Sequence, residues 1–240
     1  MKKSQEYWKG NQVEIYEHKQ RLVVPKKDEM LDIIVKLFPY SSDEKIKVLD
    51  VGAGKGALTE RILYGFPNSI VTCLDSSQEM LRDARNQLSE FKDRVNYVQS
   101  NFNYADWNKF FSNGFEVIAS AIALHYLKPQ GRKRFFQQCC NMIKDDGCLI
   151  NGTGFKSGDT RIQQMYDDFQ AKYIQDQLRK LEGKQLTIEE IVRRRKENRE
   201  RAGVNFYSVK EQIALLEDSG FKRAECVWKY FSLAVVIGLK

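Results

Sequence analysis

The stretch Lys47–Leu63, KVLDVGAGKGALTERIL, decides the fold. An apolar run ends at Asp50, glycines follow at Gly52, Gly54 and Gly56, and a helix-forming segment begins directly after them. Alternate glycines let the backbone turn tightly and leave room for a ligand to approach the main chain. Two ligand classes use such a turn. A dinucleotide lays its pyrophosphate on the helix N-terminus, and the spacing Gly52-x-Gly54-x-x-Ala57 is formally compatible with that fingerprint. The other class is a nucleoside carrying a cationic amino acid. A carboxylate at Asp50, ahead of the glycines, suits an ammonium group and repels a pyrophosphate. Asp75 ends the next strand, 23 residues after Gly52, where a carboxylate accepts hydrogen bonds from ribose hydroxyls of either class.

Working outward, short apolar runs alternate with segments of helical period. Ile46–Val51, Ile70–Asp75, Val95–Gln99, Phe115–Leu124 and Gly147–Phe155 read as strands buried on both faces of a parallel sheet. The segment after Asp75 reads as a helix, with Ser76 and Glu79 as its capping box and Met80, Leu81, Ala84, Leu88 and Phe91 on one face. A second helix is predicted over Gln130–Lys144, with Gly147 shortly past its end. The chain closes with a helix over Ser208–Phe221 and two strands joined through Ser232, too close for a crossover and so antiparallel. This pattern predicts an α/β, Rossmann-like sheet.

Two segments interrupt the alternation. Residues 1–44 form an N-terminal helical cover that includes an amphipathic helix over Asp28–Phe38. Residues 159–203 form a charged helical insertion with an apolar stripe of Met165, Phe169, Tyr173, Ile174, Leu178 and Leu181. It follows the C-terminal end of the fifth strand, where ligands of open α/β sheets bind, and is expected to act as a lid. Residues 45–158 and 204–240 make up the main domain.

Aromatic residues at 12% and hydrophobic residues at 42% indicate a globular chain. No stretch reaches the roughly 18–20 apolar residues of a membrane span, and the N-terminus has no apolar signal core, so the expectation is a cytoplasmic protein without a membrane partner. The five cysteines show no CxxC spacing and read as reduced core residues, with no metal site. The net charge of +7 is concentrated in Arg193–Arg201, RRRKENRER, which reads either as a solvated helix face or as an attractor of phosphates and carboxylates.

With these motifs in hand, the chain resembles the class I S-adenosylmethionine-dependent methyltransferases. VLDVGAGKG, VTCLDSSQEML, VQSNF and FEVIASAIALHYL resemble the four family motifs in order, and the closing helix and strand pair resemble the end of the family's seven-stranded, mostly parallel sheet. The resemblance implies S-adenosylmethionine as cofactor and S-adenosylhomocysteine as its product. It implies Asp50, Gly52, Ala53 and Gly54 near the methionine moiety, Asp75 at the ribose, Ser76 and Met80 at the adenine, Asn101 and Phe102 flanking it, and Ser120 as a further cofactor contact. An aspartate is common in the family where Asn101 stands.

A closer likeness is to the carboxy-S-adenosylmethionine synthases of bacterial tRNA wobble-uridine modification. It rests on VVP at Val23–Pro25, the 159–203 insertion and the ending SVKEQIALLEDSGFKRAECVWKYFSLAVVIGLK. In those enzymes an arginine before the last helix holds the extra carboxylate, and Arg195 and Arg199 are the candidates here. The glycine-tyrosine that follows the proline in that family is replaced by Lys26-Lys27, which points to a sister group using the ordinary methyl donor.

His125, just past the fourth strand, is the candidate general base, and Tyr16 in the cover is a candidate acceptor contact. His18 reads as a surface residue. The expected reaction is methyl transfer to a small-molecule acceptor, anionic in view of the arginines. The rivals are a carboxy-S-adenosylmethionine synthase, an RNA methyltransferase and a cofactor-binding protein without transfer. Monomer and homodimer both remain open.

Overall fold

The computed structural model of the protein describes residues 20, 22–111 and 114–240. Tyr16 and His18 lie outside them. A turn closed by Val24 N–H donating to the Gln20 carbonyl (2.9 Å) leads into α1, Lys27–Lys36. Then come β1 (Lys47–Val51), α2 (Ala57–Gly65), β2 (Ile70–Asp75), α3 (Gln78–Gln87), β3 (Val95–Gln99), β4 (Phe115–Ala121), α4 (Arg132–Met142) and β5 (Ile143–Gly154). The insertion supplies α5 (Thr160–Glu182) and α6 (Ile188–Ala202), and the chain ends with α7 (Val209–Glu217), β6 (Arg223–Tyr230) and β7 (Leu233–Leu239).

The strands form one seven-stranded sheet in the order β3-β2-β1-β4-β5-β7-β6. β1 to β5 pair in parallel, and β7 runs antiparallel to both β5 and β6. This is the expected Rossmann-like sheet with its antiparallel C-terminal strand. From β1 the chain winds outward to β2 and β3, then returns to place β4 on the other side. The switch opens a crevice at the strand ends between β1 and β4.

Because strand side chains alternate between faces, β1 feeds two cores. Val48 joins Met30, Ile34, Ile62, Leu81 and Ala84 beneath α1, α2 and α3. Leu49 and Val51 join Phe135, Phe136, Trp107 and Leu216 beneath α4 and α7. With Val48, Leu49 and Val51 fully buried, the sheet is covered on both faces and the glycine turn after β1 is held from below.

Several boundaries differ from the sequence reading. β4 stops at Ala121, not Leu124, because Ile122 adopts a left-handed backbone (φ 56°) and Leu124–Tyr126 forms a 3-10 turn. α4 stops at Met142 and β5 starts at once. Gly147 does not terminate the helix but lies inside β5 beside a β-bulge, where a Cβ would lie 2.6 Å from the Glu116 carbonyl oxygen. The cap of α3 is Ser77, not Ser76, and its side chain accepts from Met80 N–H.

The insertion has its own small core of Ala171, Ile174 and Ile191. α5 is capped by Asp159 and α6 by a Thr187–Glu190 capping box, and both end at left-handed glycines, Gly183 and Gly203. The predicted stripe is only partly realised. Ile174 is buried and Phe169 stacks on Phe231 of the β6–β7 turn (centroids 3.6 Å apart), but Met165 and Leu181 are largely exposed.

Candidate active site

The glycine turn takes its shape from β2. Gly52 N–H and Ala53 N–H both donate to the Leu74 carbonyl (2.7 and 3.0 Å), and Gly54 N–H donates to Asp75 Oδ2 (2.9 Å). Asp75 Oδ1 accepts from Ser77 N–H (2.9 Å), so this one carboxylate ties the turn to the start of α3. Burial holds its pKa above the usual carboxylate value, against the lowering effect of the backbone donors. Gly52 is required on two counts. Its φ is 74°, and a Cβ there would come 2.3 Å from the Ala123 Cβ.

Asp50 sits under the turn, 1% exposed, with Oδ2 accepting from Thr59 Oγ1 (2.7 Å). Thr59 Oγ1 also lies 3.2 Å from Cys73 Sγ. Burial, reinforced by the neighbouring Asp75, pushes the Asp50 carboxyl up to about 7, although the Thr59 hydrogen bond opposes the shift. Burial with no cation among the described residues acting on it leaves this carboxylate about half-protonated at neutral pH, and a ligand ammonium would complete it.

Two cavities open on this edge. The smaller, about 70 Å³, is lined by Asp75, Ser76, Met80, Asn101 and Phe102, residues matched to the nucleoside by the sequence motifs, and by Gly54, matched to the methionine moiety. The larger, about 770 Å³, is lined by Asp50, Ala53 and Lys55 of the turn, by Lys26 and Lys27 of the cover, and by Tyr173 and Gln177 of the insertion. Gly52, Ile122 and Gln20 border both. Asn101 Oδ1 already accepts from Asn103 N–H (2.9 Å), which fixes its amide across the smaller cavity.

Other predicted residues stand outside these walls. Ser120 is buried within β4 and donates to the Val51 carbonyl (2.7 Å), bracing the strand end instead of facing a cavity. His125 is 6% exposed and borders neither cavity. Its Nδ1 lies 2.7 Å from Thr153 Oγ1, and its ring is packed by Tyr126 and Phe206. Burial, with the nearby Arg199 charge, lowers its pKa to about 3, so the ring is neutral at ordinary pH and a poor proton acceptor. The arginine run divides by helical phase. Arg193, Arg194, Lys196 and Arg201 point to solvent, whereas Arg195 and Arg199 turn toward Asp167 of α5 (3.7 and 3.5 Å). Arg195 also donates to Gln170, and its pKa falls to about 10 through burial and the adjacent Arg199. Neither arginine borders a cavity.

The sequence reading did not single out Gln20, Ala121, Ile122 or Gln177. Ile122 carried a signal only in retrospect. A β-branched residue with φ 56° is strained, and such strain concentrates at ligand sites. Among the described residues no helix is long and apolar enough to cross a membrane, and no group of His, Cys, Asp and Glu could hold a metal ion.

Comparisons with known proteins agree with this geometry. A family model described as a methyltransferase domain matches residues 48–147. The carboxy-S-adenosyl-L-methionine synthase of Campylobacter lari is 24% identical over 220 residues, covering 90% of this chain and 87% of that protein. Among solved structures, an O-methyltransferase family protein from Burkholderia thailandensis superposes with a TM-score of 0.66 at 15% identity, over 89% of this chain and 56% of that one. Phosphoethanolamine N-methyltransferase 2 of Haemonchus contortus, solved with S-adenosyl-L-methionine, gives 0.65 at 17% identity, over 93% and 46%. The chain thus spans only about half the length of those solved proteins. A buried carboxylate at Asp50, a second at Asp75 on the wall of the smaller cavity and a turn with no room for a Cβ fit a cationic amino-acid nucleoside. The chain has the Rossmann-like fold shared by these methyltransferases, and its residues 48–147 match the methyltransferase-domain model, with a glycine turn suited to S-adenosylmethionine as cofactor.

Proposed function

We propose that the protein transfers a methyl group from S-adenosylmethionine to a small anionic acceptor held in the larger cavity. The observation that carries this reading is the pair of carboxylates bracketing one glycine turn, Asp50 on the side of a 770 Å³ cavity and Asp75 on the side of a 70 Å³ one. Asp75 would hold the ribose hydroxyls, Asp50 the ammonium group, and Met80 and Phe102 the adenine. When bound, the cofactor supplies a carbon already activated by its positive sulfur. The chain's own work is then to hold an acceptor in line and exclude water, which supplies much of the rate without a strong base. His125, neutral, bonded to Thr153 and set back from both cavities, is not needed as a base in this reading. An anionic acceptor is favoured by the charge of the insertion as a whole, eleven Lys and Arg against nine Asp and Glu over residues 159–203, although Arg195 and Arg199 themselves are turned toward Asp167 and away from the cavity. Under this reading α5 and α6 serve as the lid, since Tyr173 and Gln177 border the larger cavity.

Calorimetric titration with S-adenosylmethionine, S-adenosylhomocysteine and NAD tests the proposal. Binding of the first two without the third is expected, and binding of NAD alone overturns it. The full-length similarity to the Campylobacter lari synthase supports a second reading, in which the bound molecule carries an extra carboxylate. Mass spectrometry of the ligand that co-purifies with the protein separates the two. The exposed part of the arginine run is engaged in Arg193–Glu197 and Arg194–Glu190 pairs along α6, so RNA is the less favoured acceptor.

A further inference from the structure

Gln20 stands where the two cavities meet, and with Gly52 and Ile122 it borders both. It is 7% exposed, and its Oε1 is buried with no hydrogen-bond partner among the described residues. A buried carbonyl left unpaired is costly, so such a group inside a ligand site marks where the ligand supplies the missing partner. The backbone around it is fixed. Val24 N–H closes the turn on the Gln20 carbonyl (2.9 Å), and Gln170 Nε2 of the insertion donates to the Val23 carbonyl (2.8 Å). Arg195 in turn holds Gln170.

We propose that Gln20 is a specificity residue that reads the charge on the cofactor's sulfur, its buried side-chain oxygen favouring the sulfonium over the neutral thioether. The inference rests on S-adenosylmethionine being the ligand. In that molecule the sulfur joins the ribose to the amino-acid chain. With Asp75 bordering the cavity on one side and Asp50 on the other, the sulfur falls at the shared wall. An amide oxygen there is drawn to a positive sulfur and its polarised C–H groups, and gains nothing from an uncharged one. The oxygen thereby favours the substrate form of the cofactor and releases the spent form.

The test is calorimetry of the full-length protein, wild type and two variants, with S-adenosylmethionine and S-adenosylhomocysteine, with ligand-free thermal melts as the check on folding. Gln20→Leu is expected to weaken S-adenosylmethionine binding about tenfold and S-adenosylhomocysteine binding less than about threefold, consistent with loss of one contact to a charged group. Gln20→Glu, which places a full negative charge at the same point, is expected to raise the preference for S-adenosylmethionine by about tenfold. An equal loss for both ligands in Gln20→Leu, or an unchanged preference in Gln20→Glu, overturns the proposal. Failure of the wild type to bind either ligand refutes the cofactor assignment instead, so the two failures are distinguishable.

Discussion

Cofactor binding should release a proton from Asp50. Its carboxyl is 1% exposed, is hydrogen-bonded by the Thr59 side chain and backbone, and is pushed up to about 7 by burial and by Asp75. A cation seated beside it would return it toward the ordinary carboxylate range, so the ligand must expel the proton that the empty protein carries. With a pKa of about 7 the empty site is about half-protonated at pH 7, and each pH unit below that costs about a factor of ten in affinity. S-adenosylmethionine should therefore bind about an order of magnitude more weakly at pH 6 than at pH 7.5, below the range in which an α-amino group loses its own proton. The same shift acts on stability. The folded pKa lies above the unfolded value of 3.8, so the contribution is full below pH 3.8 and lost as pH rises through 7, up to about 4 kcal/mol. Asp50→Asn should raise the melting temperature of the ligand-free protein at pH 8 while abolishing tight cofactor binding. Calorimetry in buffers of different ionisation enthalpy gives the proton count directly. A pH-independent affinity with no proton released would refute the argument.

Gly52→Ala should lower stability by about 1–3 kcal/mol and abolish cofactor binding, because a Cβ would strike Ala123 at 2.3 Å and the residue would be forced to φ 74°; a denaturant titration together with a binding assay checks both halves. His125 acts on stability in the opposite sense to Asp50. Its folded pKa of about 3 lies below its ordinary value of 6.5, so its contribution is complete above pH 6.5 and is lost as pH falls below it. His125→Gln should flatten the acid limb of a melting-temperature profile between pH 4 and 6, and at saturating cofactor, where the Asp50 titration no longer weighs, the rate of methyl transfer by the wild type should show no inflection near pH 6.5.

The sheet was legible because its information is local. Buried parallel strands are continuous apolar runs, and the strand–turn–helix at Lys47–Leu63 carries its glycines and Asp50 in one short segment. The same holds for Asp75, which ends β2, and for Met80 shortly after it. What could not be read depends on contacts distant in sequence. The end of β4 was missed because Ile122 has high strand propensity, and only the Gly152 carbonyl that receives its N–H (2.7 Å) and the crevice beside it hold it in a left-handed backbone. The inward turn of Arg195 and Arg199 depends on Asp167, about thirty residues earlier on another helix. Gln20 looked like one more polar residue in a charged segment, since its orphaned oxygen exists only once the cover meets the sheet. The shift in the α3 cap from Ser76 to Ser77 is of another kind: two adjacent serines compete, and Asp75 decides by binding Ser77 N–H.

The thiol of Cys73, set behind Asp50 and against Thr59, bears on how such a protein survives its own reagent. Sulfonium compounds alkylate thiolates, and Cys73 stands one residue layer behind the Asp50 that lines the larger cavity. Cys73 is fully buried, and desolvation together with the Asp50 charge drives its ionisation far out of the physiological range. A thiol that cannot ionise is a poor nucleophile. Burial first, and the interior carboxylate beside it second, keep this sulfur protonated, so the group that would attract a cationic reagent also helps to leave the neighbouring thiol unreactive.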